Sequence, residues 1–348
     1  MRTITTLFAA ATMLGLGATS APAQQPAPGA SATPNRIEAI RARGNFRCGV
    51  YENVPGLATL DAQGRWQGFD VDFCRAMGAA FLGSGEKVEF VKMNFAQGIP
   101  AVRSGEIDMA ALAITVTVQR ETELGLDFIG PTLYSGHAFM VHKRSGATKL
   151  ADLDGATICI VAGTITDSLI ADYFRARNMT FKPVAIETSA QMMPLYEEGR
   201  CDVVTLEPPF LATRRARLRV PSDHIILPEF FAKSDMGPVV RGDDPMFSQA
   251  ARLVHWAVVT AEEMGITQAN VEAMARDSRD PAIRRFLGVE GNLGSKAGLS
   301  DRFTIDVIKA VGNYAEIWER SYGKPYGLDR GPNRLARDGG QQWAPLWR

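Results

Sequence analysis

The run Asp108-Met109-Ala110-Ala111-Leu112-Ala113-Ile114-Thr115-Val116-Thr117-Val118-Gln119-Arg120 sets two hydroxyls and a guanidinium directly behind an apolar stretch. A buried strand ending near Ile114 would deliver Thr115, Thr117 and Arg120 to its carboxyl end, where open α/β folds bind their ligands. The same residues have ordinary uses, the threonines as strand formers and Arg120 as a solvated helix-start charge beside Glu121 or Glu123. No GxSxG elbow, P-loop, HExxH or strand-linked GxGxxG follows residue 23. Binding chemistry is therefore better supported than hydrolytic or nucleotide chemistry.

Four cysteines, Cys48, Cys74, Cys159 and Cys201, form no CxxC, and the four histidines (His137, His142, His224, His255) have no ligand spacing with them. A zinc site is not indicated, nor any cofactor. Three disulfide connectivities are open. The grouping along the chain favours the local bridges Cys48–Cys74 and Cys159–Cys201.

These residues need elements to hold them. After a short helix over Ile37 to Arg43, strands are expected over 46–51, 87–91, 108–114 and 139–142, with helices opening at Gly68-Phe69-Asp70 and near Ala96. Lys143-Arg144-Ser145-Gly146 has the composition of an inter-domain crossing, after which the rhythm restarts: strands at 157–161, 184–187 and 202–206, helices at 167–177 and 190–198. A return crossing is expected near Gly237-Pro238-Val239-Val240, and beyond it helices run over 245–263, 268–275, 281–287 and 301–322. Strands alternating with helices imply parallel sheets, so the chain reads as α/β with two lobes, 36–143 with 239–348 and an inserted 144–238, ending in a helical C-terminal extension. Trp66 and Phe69 read as packing rather than pocket.

The chain has 348 residues, with 38 Lys+Arg against 38 Asp+Glu. With no basic block there is no footprint for nucleic acid, and a small molecule or a protein is the expected partner. Met1-Arg2-Thr3, the apolar run to Leu16 and Ala21-Pro22-Ala23 form the pattern of a cleaved secretory signal over 1–23. A flexible leader, 24–35, follows. Export is what favours paired thiols.

The segments Gly68-Phe69-Asp70-Val71-Asp72, Ser104-Gly105-Glu106-Ile107-Asp108, Thr115-Val116-Thr117-x-x-Arg120, Ala162-Gly163-Thr164 and Gly199-Arg200-Cys201-Asp202 resemble the polar amino-acid-binding proteins of bacterial ABC importers. The cysteine contexts and Ala310-Val311-Gly312-Asn313-Tyr314 are most similar to the periplasmic general L-amino-acid-binding proteins, and the resemblance spans about 36–345. It implies a type II periplasmic binding protein fold that closes on an amino acid or related small carboxylate in the periplasm and delivers it to an inner-membrane ABC permease. By the resemblance, Arg120 takes the ligand α-carboxylate, Thr115 adds a hydroxyl, and Ala113 offers its carbonyl to the amino group. From the other lobe Thr164 and Ile165 form a helix N-terminal turn that meets the carboxylate, and Glu207 takes the α-ammonium. Val54 and Leu57 stand where aromatics often cover the ligand side chain.

Four features depart from the pattern. Ile165 replaces a Thr, Glu207 an Asp, Val116 a Trp, and Pro208-Pro209 follow the acidic residue. The ligand itself is therefore not implied. Two rival functions share the fold: an enzyme resembling cyclohexadienyl dehydratase, with Glu207 as acid or base, and a receptor partner that signals rather than delivers.

Overall fold

The computed structural model describes residues 35–187 and 189–348. The expected signal, 1–23, and all of the leader but Asn35 lie outside the described residues. Asn35 belongs to the fold, because its side chain caps α1 (Arg36–Arg43) by accepting from Ile37 N–H.

The first half contains β1 (Phe46–Val50), β2 (Thr59–Leu60), β3 (Trp66–Gln67), α2 (Phe69–Leu82), β4 (Val88–Lys92), α3 (Phe95–Ser104), β5 (Met109–Ala111), α4 (Val118–Leu124) and β6 (Leu126–Phe128). There follow β7 (Gly136–His142), β8 (Thr157–Val161), α5 (Ile165–Arg175), β9 (Lys182–Ile186), α6 (Ser189–Glu197), β10 (Val203–Leu206), α7 (Pro208–Arg215), β11 (His224–Ile226), β12 (Ala232–Lys233), β13 (Val239–Arg241) and α8 (Pro245–Glu263).

One sheet has the order β4-β1-β5-β13-β6 and the other β11-β7-β10-β8-β9, with β12 also on β7. β1 runs parallel to β4 and β5, and β8 parallel to β9 and β10. Parallel neighbours need a crossover, which α2, α3, α5 and α6 supply. β13 enters antiparallel between β5 and β6. The chain thus leaves the first sheet after β6, builds the second, and returns, so the second unit is inserted into the first.

The outgoing and returning segments run side by side. Met236 N–H donates to Leu133 O at 2.8 Å and Leu133 N–H to Met236 O at 3.0 Å, while Val116 N–H donates to Asp235 O at 2.8 Å. The approach is so close that a Cβ on Gly237 would sit 2.2 Å from Gly130 O. Two expectations change here. Lys143–Ser145 forms a surface turn stopped by Gly146 in the left-handed region, and β7, inside the segment expected for the first lobe, pairs with β10, β11 and β12. Polar composition marked a turn; the crossing itself holds the buried Ile129, Leu133 and Met236, and its local signals are the pairs Gly130-Pro131 and Gly237-Pro238.

The expected helix over 301–322 is divided. Phe303–Val311 ends at Gly312, with φ 76°, and Asn313 opens Tyr314–Trp318 with a capping box to Glu316. This break turns Tyr314, Trp318 and Tyr322 onto Phe69 of α2, at ring-centroid distances of 5.9, 6.4 and 5.6 Å. Phe69 is fully buried there. Both cysteine pairs are bridged, Cys48 to Cys74 and Cys159 to Cys201, one tying β1 to α2 and the other anchoring β8 beside the start of β10.

Candidate functional site

β5 ends three residues before Ile114, and the chain then turns sharply at Ala113, whose φ of 45° is unusual for a residue with a Cβ. Ala113 N–H donates to Asp70 Oδ2 at 3.2 Å, which helps hold that turn. Burial at the head of α2 pushes the Asp70 carboxyl up to about 7, against the lowering effect of this one bond. Thr117 caps α4 through its Oγ1, which accepts Arg120 N–H at 3.2 Å, so its hydroxyl serves the helix. The cap folds Arg120 back over the strand end. Its Nη1 donates to Thr115 O at 2.5 Å and its guanidinium lies 5.1 Å from the centre of the Phe95 ring.

On the other sheet, β8 leads into α5. Thr164 occupies the cap position, yet its hydroxyl donates back to Val161 O at 2.8 Å and makes no cap bond. The first N–H groups of α5 are left to be met from the cavity. Where Ile165 has lost a hydroxyl, Thr166 one residue on puts one on the same cavity wall.

α7 begins at Glu207, its cap residue, with Pro208 and Pro209 in the first turn, where their fixed φ and missing N–H are harmless. The prolines do not turn Glu207 to solvent; it is 5% exposed. Its Oε1 accepts from Ser234 Oγ at 2.7 Å, and Ser234 Oγ lies 3.3 Å from Thr115 Oγ1. A chain of polar atoms therefore joins the two sheets beside the crossing. His137 Nδ1 stands 3.7 Å from Glu207 Oε1, beyond hydrogen-bond reach. His137 is 2% exposed, stacked on Phe231, and neither ring nitrogen has a partner among the described residues.

Both sheets open onto one cavity of about 810 Å³. All eight expected ligand residues, Val54, Leu57, Ala113, Thr115, Arg120, Thr164, Ile165 and Glu207, line it. Gly68 lets the Val54–Leu57 loop close down: at φ 135° a Cβ there would sit 2.3 Å from Leu57 O. Val116, Thr117, Trp66 and Phe69 are not on the wall. Among the further residues on the wall are Tyr51, Phe95, His137, Phe210 and Arg214. The wall's aromatic side chains thus include Phe95, Phe210 and Tyr51, with Val54 and Leu57 aliphatic beside them. Burial pushes the Tyr51 hydroxyl well above its usual range, with Glu207 and Asp70 adding to the shift. Burial likewise pulls Arg120 down, and Arg214 down to about 10, which leaves Arg214 charged at neutral pH.

Residues 46–254 match the model of the bacterial extracellular solute-binding proteins, family 3. The chain belongs to that family. This solute-binding protein is 42% identical over 323 residues to the general L-amino acid-binding periplasmic protein of Rhizobium johnstonii, covering 90% of this chain and 93% of that one. It is 41% identical over 320 residues to the glutamate/glutamine/aspartate/asparagine-binding protein of Rhodobacter capsulatus, covering 91% and 95%. Among solved structures, a periplasmic binding protein of an ABC transporter from Brucella ovis with glutathione bound superposes with a TM-score of 0.87 at 40% identity, covering 90% of this chain and 99% of that one. The fold is the type II periplasmic binding protein fold. The protein is a periplasmic solute-binding protein of an ABC importer, whose inner-membrane permease is its partner; these relatives are binding proteins, which leaves the enzyme alternative with less support.

Proposed function

We propose that this solute-binding protein captures the α-amino-acid head of its ligand between Arg120 and Glu207 and carries it to the permease. The supporting observation is that the guanidinium reaches the cavity from the strand end of one sheet and the carboxylate from the helix start of the other. An α-amino acid carries the complementary pair of charges. Arg120 would fork the α-carboxylate, with Thr115 and the α5 turn at Thr164 and Ile165 adding donors. Glu207 and the Ala113 carbonyl would take the ammonium, and Val54 and Leu57 would pack against the ligand. The lobes meet at 129–135 and 234–238. Because one ligand needs contacts from both, binding favours the closed arrangement of two lobes joined there.

The glutamate- and glutamine-binding relative and the glutathione-bound neighbour extend the candidates from free amino acids to compounds with a γ-glutamyl head. Calorimetry on the wild type and Arg120→Ala tests the reading with glutamine, glutamate and glutathione. We expect binding of at least one ligand and its loss in the variant, with the fold retained. Near-normal affinity in Arg120→Ala would remove the carboxylate assignment.

A further inference from the structure

β7 is enclosed along nearly its whole length, yet it sends an imidazole, that of His137, to the cavity wall. An aliphatic side chain would fill that place without the cost of burying two ring nitrogens. Neighbouring hydroxyls on the wall are already engaged: Thr205 donates to Ala138 O at 2.9 Å and Thr164 to Val161 O at 2.8 Å. His137 Nδ1 and Nε2 have no hydrogen-bond partner among the described residues. Apolar contact sets the ring, which stacks on Phe231 with centroids 5.4 Å apart and planes at 24°, while Phe231 N–H donates to His137 O at 3.0 Å. The imidazole is thus held in place with its nitrogens unsatisfied.

Its Nδ1 stands 3.7 Å from Glu207 Oε1, too far for a hydrogen bond between them, and Oε1 already accepts from Ser234. A neutral imidazole with its proton on Nε2 presents a lone pair at Nδ1. Two acceptors then lie side by side with no donor between them. One nitrogen about 2.9 Å from each, an ordinary N–H hydrogen-bond length, fits over that gap.

We propose that His137 is a specificity-determining residue whose Nδ1 takes one N–H of the ligand ammonium beside Glu207, so that the site selects a primary amine. The proposal rests on the head reading, with the ammonium at Glu207. A primary ammonium has three N–H donors, and Glu207, the Ala113 carbonyl and His137, all on the cavity wall, supply one acceptor each. An N-methylated ammonium has two, and its methyl group falls against one of these acceptors. That acceptor is then buried unmatched, which is how a polar site rejects an analogue lacking a hydrogen bond.

The test is calorimetry on the full mature chain with glutamate, N-methylglutamate and glutarate, which lacks the amine. Wild type should bind glutamate about ten- to a hundred-fold more tightly than N-methylglutamate, the range for one hydrogen bond to a charged group. His137→Phe keeps a ring to stack on Phe231 and removes both nitrogens, and the ratio should fall below about three-fold. If that variant does not fold, His137→Leu removes the same nitrogens in less volume. His137→Asn, with an amide oxygen to stand in for Nδ1, should retain most of the ratio. A wild-type ratio under about three-fold, or the same ratio in wild type and the nitrogen-free variants, would overturn the assignment. Failure of the head reading looks different: wild type would then bind glutarate as tightly as glutamate, or bind neither.

Discussion

Ser234 donates to Glu207 at 2.7 Å from a segment that joins the two sheets, and its oxygen stands 3.3 Å from the hydroxyl of Thr115. The proposed ammonium acceptor is thus oriented by the part of the chain that must flex when the cavity closes. Glu207→Gln should weaken an amine-bearing ligand by about 1.5–3 kcal/mol and leave a deaminated analogue unaffected or improved. Ser234→Ala removes the bond that fixes the carboxylate together with the contact to the Thr115 hydroxyl, and should cost about 1 kcal/mol of the same affinity. Titrating an amino acid and its deaminated analogue decides it. Ratios unchanged in both variants would mean that Glu207 does not read the amine.

His137 offers a second test at the same wall. Two ring nitrogens buried without hydrogen-bond partners among the described residues are a cost to the empty protein and an opportunity for a polar ligand. His137→Leu is therefore expected to raise the melting temperature of the unliganded protein, or leave it unchanged, while lowering ligand affinity, the trade-off typical of binding sites. Thermal unfolding and calorimetry on one preparation check both signs. A drop in stability with affinity intact would show the imidazole to be a packing residue.

The C-terminal region grips the crossing. Asn333 accepts Tyr134 N–H at 2.7 Å and donates to Tyr134 O at 2.9 Å, and the Tyr314 hydroxyl donates to Thr132 O at 2.7 Å. Asn333 is 2% exposed, so Asn333→Ala strands two main-chain groups of Tyr134. We expect a loss of about 2–4 kcal/mol in urea unfolding, with ligand contacts unchanged. An effect under about 0.5 kcal/mol would mean that water replaces the amide.

What was legible in the chain follows from burial. β5 and β7 are nearly wholly enclosed, and enclosed strands write themselves as apolar runs; Arg120 could be placed because such a run ends just before it. The cysteine pairing was readable because each pair is local in sequence. α7 was not, since Pro208-Pro209 reads as a turn unless the first helical turn is recognised as the place that tolerates proline. Arg214 sits with Arg215, Arg217 and Arg219, and nothing in their spacing shows that this one faces a cavity. Gly312 inside an apolar helical pattern was the available sign of the late break, and Asn313 with Glu316 three residues on was its confirmation.

Asp70 and His255 make opposite demands on pH. Burial raises the Asp70 carboxyl to about 7, so the folded chain prefers it neutral, whereas the unfolded chain ionises it near 4. Its contribution to stability is full below about 4 and is lost as pH rises to 7. Burial lowers the His255 imidazole to about 4, so its contribution is full above about 6.5 and is lost as pH falls through 4. Over the same window the two slopes oppose one another, and wild-type stability should vary less than either group alone would require. Asp70→Asn keeps an oxygen for Ala113 N–H and removes the charge. The variant should gain stability at pH 8, by up to about 4 kcal/mol, and should show stability rising with pH between 4 and 6.5 as the histidine acts unopposed. Urea titrations at several pH values measure this directly: a pH profile parallel to wild type would mean that Asp70 is ionised in the folded protein and that the Ala113 turn is held by a carboxylate after all.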